Sequence, residues 1–113
     1  MTHLMKLWHD SFVKISEGTK TVEMRLFDGK RSALSVGDTI IFEDTSDGSR
    51  LECIVLALHR YPSFTELYAR HDKTSIGYGV NEIADPADML KYYSDEDIRK
   101  YGGVGIEIQR LNA

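Results

Sequence analysis

The sequence predicts an α+β fold, a small mixed β-barrel of about five to six strands with two to four peripheral helices. Three observations lead there. Short apolar or alternating runs recur at 4–8, 21–27, 39–43, 50–58 and 104–111, without the regular strand–helix alternation of a parallel βαβ sheet. Asp47-Gly48, between two of these runs, is a hairpin signal. Closing such short strands on themselves would also remove the exposed edges of an open sheet.

Taken in order, residues 4–8 form a first strand, and Asp10 or Ser11 offers an N-cap for a helix through about 17. Phe12, Val13 and Ile15 supply the buried side of that helix, and Gly18 suits its stop. The strand 21–27 leaves this glycine turn. Asp28-Gly29-Lys30-Arg31 turns the chain, and Leu34-Ser35-Val36-Gly37-Asp38 leads into the strand 39–43, which the loop 44–49 joins to the long apolar strand 50–58. Beyond Tyr61-Pro62 the period changes. Ser63 with Glu66 is a capping box, and Phe64, Leu67 and Tyr68 have helical spacing. Residues 72–85 show no period and read as a loop packed through Ile76, Tyr78 and Ile83; an irregular run of that length in a small protein is often functional. Asp85-Pro86 opens a helix with proline at its first position and Met89, Leu90, Tyr92 and Tyr93 as its inner side. Ser94-Asp95-Glu96-Asp97 caps another helical turn that Gly102-Gly103 ends. The last strand, 104–111, alternates with Val104, Ile106 and Ile108 on one face.

At 113 residues the chain reads as one domain with one hydrophobic core, 42% apolar and 28% charged. No apolar run approaches the roughly 20 residues that span a bilayer, and the first residues lack a signal-peptide layout, so a cytoplasmic protein is expected. The single cysteine, Cys53, lies in an apolar run and reads as a small hydrophobe, which excludes disulfides and cysteine metal sites. His3, His9, His59 and His71 are scattered, so no metal and no cofactor is expected. A formal charge of −4 argues against long nucleic acid held by charge alone, and no DNA-specific signal is present. The charge is uneven: residues 1–31 carry six basic side chains against four acidic, the remainder eight against fourteen. Affinity for a phosphate or an RNA end should centre on the amino-terminal third.

The segment Gly18-Thr19-Lys20-Thr21-Val22-Glu23-Met24-Arg25 concentrates that chemistry. On a strand, Glu23 and Arg25 share a face, while Val22, Met24 and Leu26 form the opposite, apolar one. A glycine turn permits close backbone approach. A carboxylate between two cations stays ionised and accepts from an exocyclic amine while the cations hold a carbonyl or phosphate. The bland reading is an ion pair on an exposed face, contributing about 0.2 to 1 kcal/mol. Tyr78, Tyr92, Tyr93 and Tyr101, with Trp8, offer stacking surfaces; Tyr92 and Tyr93 read as core, and Tyr78, mobile between Gly77 and Gly79, as the better ligand contact.

The run Gly18-x-Lys20-x-x-Glu23-x-Arg25 behind a helix resembles the signature of the ASCH domain, a relative of the PUA-like barrels. Gly37-Asp38 before an apolar strand, the helix with Phe64, Glu66 and Leu67, Tyr93, and Gly103-Val104 before the last strand agree with it. The resemblance implies a small barrel with a cleft lined by Lys20, Glu23 and Arg25, and binding of RNA or modified nucleosides. One branch of the family hydrolyses acetylcytidine nucleosides with a lysine at the position of Lys20 and a threonine where this chain has Glu23. A glutamate cannot be a hydroxyl nucleophile. In that case Glu23 would act on a water, Lys20 would stabilise an oxyanion, and Glu82 would be a second acid or base.

The leading expectation is therefore an RNA-, nucleotide- or nucleoside-binding module that uses Lys20, Glu23, Arg25 and Tyr78. The alternatives are a metal-independent amidohydrolase on acylated nucleosides, with Lys20, Glu23 and Glu82 as working groups, and a structural interaction domain.

Overall fold

The structure, a computed structural model, describes residues 1–111. Five strands, β1 (Thr2–Leu7), β2 (Val22–Leu26), β3 (Thr39–Asp44), β4 (Arg50–Tyr61) and β5 (Gly103–Arg110), form one mixed sheet in the order β1-β3-β4-β5-β2. Only β1 and β3 run parallel; the other neighbours are antiparallel. Helix α1 (His9–Glu17) follows β1, α2 (Phe64–Arg70) follows β4, and α3 (Asp95–Tyr101) precedes β5. Short 3-10 helices lie at Arg31–Ala33 and Pro86–Lys91.

The α+β class and the small barrel-like sheet are as the sequence predicts. The sheet curls into a half-barrel whose two edges, β1 and β2, face each other without backbone pairing. Inside the curl, alternate residues of β1, β3, β4 and β5 build one core of Met5, Leu7, Ile40, Phe42, Val55, Val104, Ile106 and others, which α1 closes through Ile15. A bulge between Val55 and Ala57 shifts the register, so that both Val55 and Leu58 reach this core. On the outer face of β2 and β5, Val22 packs with Phe64 and Leu67 of α2 and with Ile76 and Met89 of the 72–91 segment in a second cluster.

Local chemistry explains most element boundaries. Ser63 accepts from the Glu66 amide at 3.2 Å and Ser94 from the Asp97 amide at 3.1 Å, as capping residues should. Gly18 ends α1 at φ 87°, a left-handed value that favours glycine. Four expectations are corrected. Helix α1 starts at His9, ahead of both expected caps, Asp10 and Ser11. The helix opened by Pro86 is of the 3-10 kind, and of its expected inner side Met89 is buried while Leu90 turns outward, 52% exposed. Ile83 does not pack the loop, being 87% exposed. Tyr92 is surface, not core.

Candidate functional site

The antiparallel register decides where the charges of β2 go. Glu23 pairs with Ile106 and Arg25 with Val104, and directly opposed residues share a face. Both partners are fully buried core residues, so Glu23 and Arg25 project to the core side of the sheet. This excludes the exposed ion pair: Glu23 is 4% exposed and Lys20 7%. Because β2 is an edge, the space beside it is the open seam, and the polar groups fill it.

Lys20 Nζ lies 2.7 Å from Glu23 Oε1, and Arg25 Nε donates to Glu23 Oε2 at 2.7 Å. Arg25 also donates through Nη2 to the Lys6 carbonyl of β1 at 2.7 Å, bridging the seam that backbone pairing leaves open. Lys20 donates to Ser11 Oγ at 3.3 Å, which ties the group to α1. Burial alone pushes the Glu23 carboxyl up, but the charges of Lys20 and Arg25 and the hydrogen bonds they donate outweigh it and hold the group at about 2. Burial likewise works against the Arg25 guanidinium, and Glu23 more than offsets it, so its pKa is raised.

These groups floor a cleft of about 320 Å³ walled by the start of α1, the 76–82 segment and the 88–93 segment. All five residues singled out from the sequence, Lys20, Glu23, Arg25, Tyr78 and Glu82, line it. Tyr78 is held rather than mobile. Its hydroxyl donates to Asp88 Oδ2 at 2.6 Å and accepts from Tyr68 at 2.9 Å. Burial, then these bonds, push the Tyr78 phenol far above its ordinary value, so it stays protonated. Gly77, at φ 111°, lets the loop backbone settle on the Lys20 stem; a Cβ there would stand 3.1 Å from Lys20 Cδ. Glu82 Oε1 accepts from the Gly79 amide at 2.6 Å and remains largely exposed at the cleft edge.

Sequence reasoning missed Ser11, Lys14 and Asp88. Lys14 clamps the loop through the Gly77 carbonyl at 2.7 Å and pairs with Asp10 at 3.1 Å. The available signal was the spacing of three between Ser11 and Lys14, which places both on one helix face. Tyr101, expected among the stacking aromatics, does not line the cleft. Among the described residues no three His, Cys, Asp or Glu side chains group as metal ligands. Nor is any helix long and apolar enough to cross a membrane.

Chemically, the cleft presents an anion fixed between two cations, with aromatic walls. It can accept from an amine or imino group at Glu23 and donate to a carbonyl or phosphate from Lys20 and Arg25.

The family model of the ASCH domain matches residues 5–111. A hypothetical protein solved by crystallography is 29% identical, with TM-score 0.84, covering 98% of this chain and 100% of its own. A protein from Pyrococcus furiosus solved by NMR in solution is 32% identical over 100% of both chains, with TM-score 0.79. A mutant of the ASCH protein from Zymomonas mobilis shares the fold at 14% identity and TM-score 0.66, covering 96% of this chain and 73% of its own. No curated protein matches the sequence.

Proposed function

The chain belongs to the ASCH domain family, and from that premise we propose that it is a binding module whose cleft takes a nucleoside, a nucleotide or a short single-stranded RNA end. The observation that carries this reading is a carboxylate, Glu23, buried on the core side of an edge strand with a buried Lys20 and a partly buried Arg25 paired to it. Buried ion groups are often no better for stability than apolar residues of the same volume. A polar set placed at the floor of a cleft instead provides directed hydrogen bonds to a ligand. The volume, about 320 Å³, lies at the small end of ligand sites and suits one nucleoside rather than a duplex. The acidic remainder of the chain goes with the same small footprint. A cytoplasmic setting, where nucleosides and RNA ends are at hand, belongs to the proposal.

Hydrolysis of an acylated nucleoside is the second reading, favoured by Lys20 and Glu82 lining the same cleft. Glu23, held at about 2, is too weak a base to activate water near neutral pH, which leaves that role to Glu82. Titrating free nucleosides and short RNA while following amide chemical shifts tests the binding proposal. Saturable shifts at residues 18–26, lost in Lys20→Ala, are expected; shifts confined elsewhere refute it. Release of acetate from acetylcytidine, abolished by Glu82→Gln, would favour the hydrolase.

A further inference from the structure

Trp8 breaks two local rules at once. It occupies the N-cap of α1 at φ −63° and ψ 151° and gives the helix no side-chain hydrogen bond. Ser, Thr, Asp or Asn at that position would satisfy a first-turn amide. It is also the sole tryptophan of the chain and is 67% exposed, although tryptophan is highly buried on average. Neither feature helps the fold. Departures from local rules that bring no structural return gather at functional sites.

Both its position and its surroundings point to a ligand. Trp8 lines the cleft beside the entry to α1, and Tyr92, 57% exposed, lines it from the segment after the Pro86–Lys91 helix. Among the described residues neither ring is packed on another ring or on a cation. The floor supplies hydrogen-bonding groups and the mouth supplies open aromatic faces. A flat heterocycle has the complementary division, with donors and acceptors on its edge and π-surface on its faces.

We propose that Trp8 is the stacking platform of this cleft and that the group recognised is a nucleobase, its polar edge turned to Glu23 and Arg25 and one face on the indole. This rests on the nucleoside reading of the cleft. It adds that the base, rather than the ribose or the phosphate, is what the site selects. Tyr92 contributes to the same mouth from the other wall, whereas Tyr78, with its hydroxyl engaged by Asp88 and Tyr68, shapes the cavity.

A single tryptophan makes the test direct. Cytidine, uridine, adenosine and guanosine are titrated in turn, with ribose 5-phosphate as the base-free probe, following Trp8 fluorescence and the amide signals of residues 20–25 in parallel. At least one nucleoside should quench Trp8 saturably, and ribose 5-phosphate should not. Stacking at typical strength predicts that Trp8→Ala weakens binding by about 5- to 150-fold. Trp8→Phe should retain much of it, with the circular dichroism of both variants unchanged. Nucleoside binding that shifts residues 20–25 equally in wild type and Trp8→Ala overturns the stacking role and leaves the cleft reading intact. Equal binding of ribose 5-phosphate overturns selection of the base. Self-association through Trp8 with no nucleoside bound anywhere overturns both readings.

Discussion

Replacing Glu23 by glutamine tests whether the trio is a buried electrostatic unit. The side chain is 4% exposed, and each carboxylate oxygen has a cation at 2.7 Å. The amide keeps the shape but leaves Lys20 and Arg25 as adjacent, uncompensated charges. Two routes give the size of the effect. Removing one member of a buried ion pair costs about 3 to 5 kcal/mol. Lowering the Glu23 pKa from 4.5 to about 2 corresponds to about 3 kcal/mol of preference for the folded state at neutral pH. Because the folded value is the depressed one, that contribution is complete above 4.5 and is lost as pH falls toward 2. Urea unfolding of both proteins at pH 7 and pH 3.5 should therefore show a gap of about 3 kcal/mol shrinking to about 2. A gap below about 1 kcal/mol at pH 7, or one that does not narrow, would mean that Glu23 is solvated in the manner of a surface pair.

Arg25→Ala removes the bridge to the Lys6 carbonyl as well as a partner of Glu23, and should cost about 2 to 4 kcal/mol in urea unfolding with faster amide exchange along β1. Unchanged exchange there would show that the guanidinium does not hold the seam. His9 and His71 should titrate on opposite sides of 6.5 by NMR. The hydrogen bond to Asp44 raises His9, whereas burial, helped by the His59 charge, lowers His71. The reverse order would contradict both assignments. Gly102→Ala should destabilise by about 2 kcal/mol or more in thermal unfolding, since its φ is +70° and a Cβ would stand 2.5 Å from the Tyr61 carbonyl oxygen. A smaller loss would mean that the junction between α3 and β5 yields easily.

Much of the fold was legible because local chemistry and tertiary structure agree. The Ser63 and Ser94 caps, the Asp47-Gly48 hairpin and the alternation of Val104, Ile106 and Ile108 all read through to observed elements. The site was legible as a motif but not as an environment. Residue spacing put Glu23 and Arg25 on one face, yet only pairing with Ile106 and Val104 made that face the buried one. Tyr78 misled for a related reason. Flanking glycines suggest freedom, and the hydroxyl contacts that remove it come from Tyr68 and Asp88, each ten residues away. At α1 the sequence favoured Asp10 or Ser11 as cap, which concealed that both face the cleft and that Trp8 holds the cap position.

The central claim is that Lys20, Glu23 and Arg25 form the floor of a ligand site. The crystal structure of the protein grown with the nucleoside that binds best tests it most directly. The account predicts a base in the cleft beside Lys20 and Arg25, with one face on Trp8 and its polar edge within hydrogen-bond distance of the Glu23 carboxylate. A nucleoside seated on another surface, with the cleft filled only by water at saturating ligand, would contradict it.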